Sequence, residues 1–257
     1  PYNGVDKNRV GGYEVAAGKV GADGKFPTKW IAGRQEGGKL GELVAYKQQH
    51  IFKDWDDVKQ HANMRIDEVA NLYGPGLADQ INPLTNKPYK ESTGWQPIEP
   101  GDVCWEDMNG DDVINGYDRY VVGNIFPNIT GGFSTTFGYK GISLYARFDY
   151  ALGHTLYNDL AARSLGQYQG SFNVIDKVKD TWSEANPNSD LPKFYYADQL
   201  SKKNITRSND SNTAADSNSS RFYEKGDYLA LREITLSYQL PKSLISKVHM
   251  TDASVYV

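Results

Sequence analysis

"TGGFSTTFGYKGISLYARFDYALG" (Thr130–Gly153) carries the clearest structural signal in the 257-residue chain. The "YKG" step divides it into two runs of roughly ten residues, the length of a tilted membrane strand (about 9–11 residues) rather than of an ordinary soluble strand (about five or six). In the second run Ile142, Leu144, Ala146, Phe148 and Tyr150 alternate with Ser143, Tyr145, Arg147, Asp149 and Ala151. One face is apolar; the other carries a cation and an anion two residues apart. Alternation alone also fits a half-buried soluble strand. Length and the tight turn point to a β-barrel of the outer-membrane type, whose turns are short on the periplasmic side.

The form recurs downstream. In "DYLALREITLSYQLP" (Asp227–Pro241), Ile234, Leu236 and Tyr238 alternate with Glu233, Thr235, Ser237 and Gln239, and Pro241 closes the run because it cannot donate to a ladder. "KSLISKV" reads as a short link, and "MTDASVYV" opens a further strand. Tyr139, Tyr150, Tyr228 and Tyr238 fall near strand ends, as an interfacial aromatic belt or as ordinary sheet packing. Between the hairpins lies a long excursion, Gly153–Gly226, with helical spacing in "SFNVIDKVKDTW" (Ser171–Trp182) and a Ser/Asn-rich stretch over 201–220 that cannot bury much apolar surface.

Upstream, "LGELVAYKQQHIF" (Leu40–Phe52) reads as a strand core. Asp54–Gly74 has helical spacing, with Val58, Ala62, Ile66, Val69 and Leu72 on one face, Asp54 as the cap and Gly74 as the stop. The Pro- and Asn-rich segment over 74–102 reads as loop. With 25 Gly and 18 Tyr, the composition leans towards β architecture. A net charge of −4 gives no footprint for nucleic acid, and the single Cys104 forbids an internal disulfide. No 18-residue apolar run exists, which excludes a transmembrane helix but not a transmembrane strand. Both ends read as cut, so a fragment of a longer barrel is expected.

"DMNGDDVINGYD" (Asp107–Asp118) has the ligand rhythm of a twelve-residue calcium loop. Asp107, Asn109, Asp111 and Asp118 offer side-chain oxygens, Val113 a carbonyl, Asn115 a direct or water-mediated contact, and Ile114 is the apolar anchor. Two departures stand out: Asp112 at position six, where glycine normally makes the turn, and Asp rather than Glu at position twelve. An Asn/Asp turn cluster that needs no ion is the competing reading.

No catalytic constellation is visible. His50, His61, His154 and His249 are scattered, and Cys104 reads as a buried small residue. Trp182, Tyr168, Tyr195 and Tyr196 are candidates to stack on sugar rings, though packing within their own loop is the plainer role. Arg147 and Asp149 would face a lumen or form an ion pair with each other or across strands.

Four stretches, "GKLGELVAYKQQHIF", "PGDVCWEDMNGDDVINGYDRYVVGNIFPNITGGFSTTFGYKGISL", "WSEANPNSDLP" and "FYEKGDYLALREITLSYQLP", occur in this order. Together they resemble the C-terminal barrel region of the SusC/RagA family of TonB-linked outer-membrane proteins of Bacteroidetes, from about Gly38 onwards. The resemblance implies an all-β fold, part of a 22-stranded antiparallel transmembrane barrel whose long extracellular loops include 107–118 and 153–226. It implies TonB-dependent import of glycans, oligosaccharides or peptides, with a SusD-like surface lipoprotein as lid, outer-membrane lipid around the barrel, and no enzymatic activity. The alternative is a soluble secreted β-rich carbohydrate-binding module with a calcium-stiffened loop, suggested by the low mean hydropathy. A glycoside-hydrolase piece is the third reading.

Overall fold

A computed structural model describes residues 10–35, 37–66, 72–91, 95–166, 175–194 and 219–257. It divides into two compact units, Pro1–Ile125 with Leu156–Glu224, and Phe126–Thr155 with Lys225–Val257. Among the described residues no helix is long and apolar enough to cross a membrane, which says nothing about crossing by strands.

The second unit is a four-stranded antiparallel sheet built from Ile129–Tyr139, Ile142–Leu152, Tyr228–Gln239 and Ser254–Tyr256, paired in that order. The first two strands have 11 residues each and the third has 12, the lengths that the alternation predicts. Tyr139 pairs with Ile142 across a two-residue turn in which Lys140 (φ 46°) and Gly141 (φ 85°) are both left-handed. That is the turn whose twist matches a hairpin, and glycine makes its second position easy. The chain enters the first strand and leaves the second at the opposite end.

Register sorts the side chains onto two faces. Phe133 opposes Phe148, Phe137 opposes Leu144, and Leu144 in turn opposes Leu236. The Phe133 and Phe148 rings stack 4.8 Å apart. Gly131 opposes Tyr150, and a Cβ at Gly131 would sit 2.6 Å from the tyrosine oxygen, so the glycine leaves room for that ring. This apolar face is open: Phe133 is 51%, Phe137 67% and Ile234 60% exposed. The opposite face carries Ser134, Thr136, Ser143, Tyr145, Arg147, Asp149, Thr235 and Ser237.

Strict alternation along the third strand would put Leu229 and Leu231 on one face and Ile234, Leu236 and Tyr238 on the other. A register shift prevents this: Phe148 pairs with Leu231 and Arg147 with Glu233, so Arg232 is the extra residue of a bulge. Arg232 and Glu233 both serve the polar side. The Arg232 guanidinium forms a two-pronged ion pair with Asp149, one prong at 3.0 Å. Glu233 accepts from the Thr235 hydroxyl at 3.3 Å. Asp149 thus has the cross-strand partner. Tyr228 departs from the belt reading, since its hydroxyl donates to Asp149 at 3.1 Å and it lies on the polar face. Tyr139 and Tyr238 lie on the apolar face at the turn end.

The first unit holds its own apolar core: Tyr46, Ile51, Phe52, Val58, Met64, Ile66, Leu72, Ile98, Val103, Cys104, Trp105 and Ile114. The expected single strand of Leu40–Phe52 is two, Glu42–Tyr46 and Gln48–Ile51. They break at Lys47 because they pair with different partners, Arg119–Asn124 and Val103–Trp105. The expected helix over Asp54–Gly74 is also corrected. Asp54 does cap it, accepting from the amides of Asp56 and Asp57, but the helix stops after Trp55–Gln60. Arg65–Ile66 and Leu72–Tyr73 instead form an antiparallel pair, and Ile66 lies beside Ile114 in a parallel one. Burial of Ile66 and Leu72 in the core overrides helical spacing; Val69 lies outside the described residues. In the excursion a short 3₁₀ turn, Asp176–Asp180, stands where a helix is expected over Ser171–Trp182, while 171–174 and most of the Ser/Asn-rich stretch lie outside the described residues.

The bulge yields a prediction. Deleting Arg232 restores strict alternation with every apolar residue still on its own face, so the variant folds and loses only one exposed ion pair, a weak contribution. Deleting Thr235 sends either Leu236 and Tyr238 or Glu233 to the wrong face and abolishes folding. The fraction of unboiled protein running as a compact band in detergent gels measures both; equal behaviour of the two deletions refutes the bulge's role.

Candidate functional site

The loop 107–118 leaves the strand Val103–Trp105 and ends in the 3₁₀ turn Gly116–Asp118. Its acidic and amide side chains fold it. Asp107 accepts from the amides of Gly110 and of Asp112, the latter at 2.8 Å. Asn109, fully buried, accepts from the Asp111 amide at 3.1 Å and donates to the Asp111 carboxylate at 3.0 Å. Asp111 also accepts from the Val113 amide, and Asn115 from the Tyr117 amide. Asp118 is fully buried and takes one amide on each oxygen, Met108 and Asn115, both at 2.8 Å. Asp112 sits at φ 63°, so position six makes the left-handed turn without glycine.

Ile114 anchors the loop in the core, as its position predicts. Val113 pairs with Arg65, whose amide donates to the Asp112 carbonyl at 2.8 Å. The Lys19 ammonium donates to the Asp107 carbonyl at 3.0 Å. Every predicted ligand side chain is therefore already committed to backbone amides. The loop closes as an Asn/Asp turn cluster, while each carboxylate retains lone pairs beyond those bonds. Burial pushes Asp118 up to about 6; the two amide bonds oppose this, and the charges of Asp107 and Asp111 reinforce it.

Among the described residues, the side chains whose ligand atoms lie mutually within 4.8 Å are not these aspartates but His50, His61 and Cys104. Their numbers give no hint of this proximity. His50 and Cys104 are directly paired across two antiparallel strands, and His61 is the residue that ends the helix Trp55–Gln60. Cys104 Sγ lies 3.8 Å from His61 Nε2 and 3.7 Å from Gln49 Oε1. Burial pushes the thiol up to about 12, with the Asp57 charge adding to the effect. The thiol is thus kept protonated and is no nucleophile, in line with its reading as a buried small residue.

A cleft of about 840 Å³ in the same unit is flanked by Trp55, Trp182, Glu99 and Lys193. Trp182 packs against the core, donates its indole N–H to the Lys53 carbonyl at 3.2 Å, and has the Lys193 ammonium 5.9 Å from its ring centre. These contacts give Trp182 a packing role, while it also lines the cleft. Tyr168, Tyr195 and Tyr196 lie outside the described residues.

No family model matches the sequence. The chain is similar to TonB-dependent receptor P26 of Formosa agariphila, 29% identical over 161 residues, covering 63% of this chain and 15% of that receptor. It is also similar to TonB-dependent receptor P39 of the same organism, 29% identical over 224 residues, covering 83% of this chain and 20% of that receptor. The chain therefore spans only a small part of the relatives it matches. Among solved structures, the RagAB peptide transporter aligns with 61% of this chain and 16% of its own, at 24% identity and a TM-score of 0.45.

Asp118 sets a pH dependence. A carboxyl raised to about 6 in the folded loop and near 3.9 when unfolded binds more protons folded, so stability rises as pH falls through about 6 and levels off below about 4. In chelator, denaturant unfolding followed by tryptophan fluorescence should show the unit more stable at pH 5 than at pH 7. Asp118→Asn should flatten that difference; an opposite slope in the unaltered chain refutes it.

Proposed function

We propose that this chain is part of a TonB-dependent receptor of the outer membrane, a reading supported by its similarity to such receptors, and that it supplies consecutive wall strands of an import barrel. The cargo proposed is glycans, oligosaccharides or peptides. A SusD-like surface lipoprotein serves as partner, and TonB provides energy through regions outside this chain.

The observation that carries this reading is the two-faced sheet. Its open apolar face suits hydrocarbon and its polar face, with the Arg232–Asp149 pair, suits an aqueous lumen. A soluble binding module would have to cover that apolar face with a second layer. The Lys140–Gly141 turn is proposed to face the periplasm, and the loop 107–118, which precedes the first strand of the sheet in the chain, to lie outside the cell.

The test is gel mobility of the full receptor extracted from outer membranes, with and without boiling. A compact band lost on boiling is expected. Ile234→Lys, on the lipid-facing side, should weaken folding by about 2–4 kcal/mol, while Thr235→Lys, on the lumen side, should not. Equal costs, or the absence of a compact band, would defeat the barrel assignment.

The loop 107–118 is proposed as a weak calcium site, with dissociation constants around 10⁻⁴–10⁻³ M, that stiffens the loop through Asp107, Asn109, Asp111, Val113, Asn115 and Asp118. Its left-handed turn at Asp112 supports the reading. Millimolar calcium should raise the unfolding midpoint, and Asp111→Ala should remove that gain. A response no larger than that to magnesium argues for the ion-free turn cluster.

A further inference from the structure

The cluster His50, His61 and Cys104 does not belong to the calcium-like loop, the cleft or the membrane sheet. We propose that it is a transition-metal site that binds zinc through one thiolate and two imidazoles.

Geometry supports this. Zinc–sulfur bonds of about 2.3 Å and zinc–nitrogen bonds of about 2.0–2.1 Å at tetrahedral angles put the two ligand atoms about 3.6 Å apart. Cys104 Sγ and His61 Nε2 are 3.8 Å apart, and all three ligand atoms lie within 4.8 Å of one another. An ion therefore needs only small side-chain adjustments to be held by all three. The donor set is sulfur and imidazole, which selects zinc and related late metals over calcium or magnesium.

The surroundings hold the donors in place. Each ligand comes from a different element: a strand, the end of a helix, and the strand paired with the first. Behind His50 stands Asp57, 3.2 Å from its Nε2, itself tied to the Lys53 amide at 3.0 Å. A carboxylate hydrogen-bonded to a ligand histidine is the second-layer contact that fixes a ligand's orientation. Phe52 lies edge-on to both imidazoles, at 5.6 and 5.5 Å, and walls off one side. Gln49 Oε1, 3.7 Å from the sulfur, or a water molecule would complete four-coordination.

Entry is open on one side, because His50 keeps 37% of its side chain exposed and, with Gln49, lines a small surface cavity of about 300 Å³. On binding, the Cys104 Sγ–H proton passes to solvent and the thiolate bonds to the ion, so uptake releases one proton. A bound ion would pin the helix end to the paired strands.

The experiment uses the full receptor in detergent, stripped with chelator and titrated with cobalt(II) and then zinc. Cobalt should produce the intense near-ultraviolet thiolate-to-metal band, and equimolar zinc should bleach it. Cys104→Ser should abolish the band, His61→Gln should weaken affinity at least tenfold, and Asp57→Asn should weaken it about 10–100-fold. The boiling-sensitive compact band reports that each variant is folded. No band in the folded unaltered receptor, or a band that survives in folded Cys104→Ser, overturns the proposal. If Cys104→Ser fails to fold, Asp57→Asn decides, since unchanged affinity there removes the orienting role and refutes the site.

Discussion

Each long strand of the sheet must keep its large apolar side chains on one side. In hydrocarbon, ladder bonds must be complete and one misplaced charge near the midplane costs about 2–4 kcal/mol. The first two strands meet this constraint by alternation alone. The third does not: Arg232 and Glu233 are consecutive charges inside an apolar pattern, and the bulge turns both to the polar side. Arg232, freed from the ladder's parity, then reaches Asp149 on the neighbouring strand. One extra residue thus satisfies the face rule and supplies a partner for a carboxylate on the polar face.

The first unit obeys a different rule, because it closes around its own core. Its strands are short and its pairings change partner every few residues, as at Lys47. Core side chains decide where the backbone goes. Ile114 inserts from the acidic loop, Cys104 and Trp105 from the preceding strand, and Val58 from the helix. The acidic loop is therefore fixed at both ends before any ion is considered, and its side chains complete the closure by accepting backbone amides.

These two rules explain what was legible in the sequence. Period-two alternation over ten residues has few other readings, and a Lys–Gly step between two such runs marks a left-handed turn, so the hairpin and its faces were readable. The apolar anchor Ile114 of Asp107–Asp118 was readable too, and Asp112 at the sixth position does make a left-handed turn. The helix expected over Asp54–Gly74 failed because apolar residues at three- and four-residue spacing also arise when two short strands each send one side chain into a core. The bulge left no local signature except the charged pair itself. The meeting of His50, His61 and Cys104 was invisible, since it depends on a strand pairing that joins residues more than fifty apart and on where a helix stops.

The edges of the sheet impose a further constraint. The outer edge of Ile129–Tyr139 and the far edge of the three-residue strand Ser254–Tyr256 carry backbone donors and acceptors with no partner strand in the described sheet. In water such edges invite pairing with other chains. In hydrocarbon they are untenable, because no water is there to satisfy them. A sheet with this open apolar face is stable in a bilayer only when further strands extend both edges until the ladder closes on itself. In a bilayer, closure is then a requirement set by the backbone of these four strands.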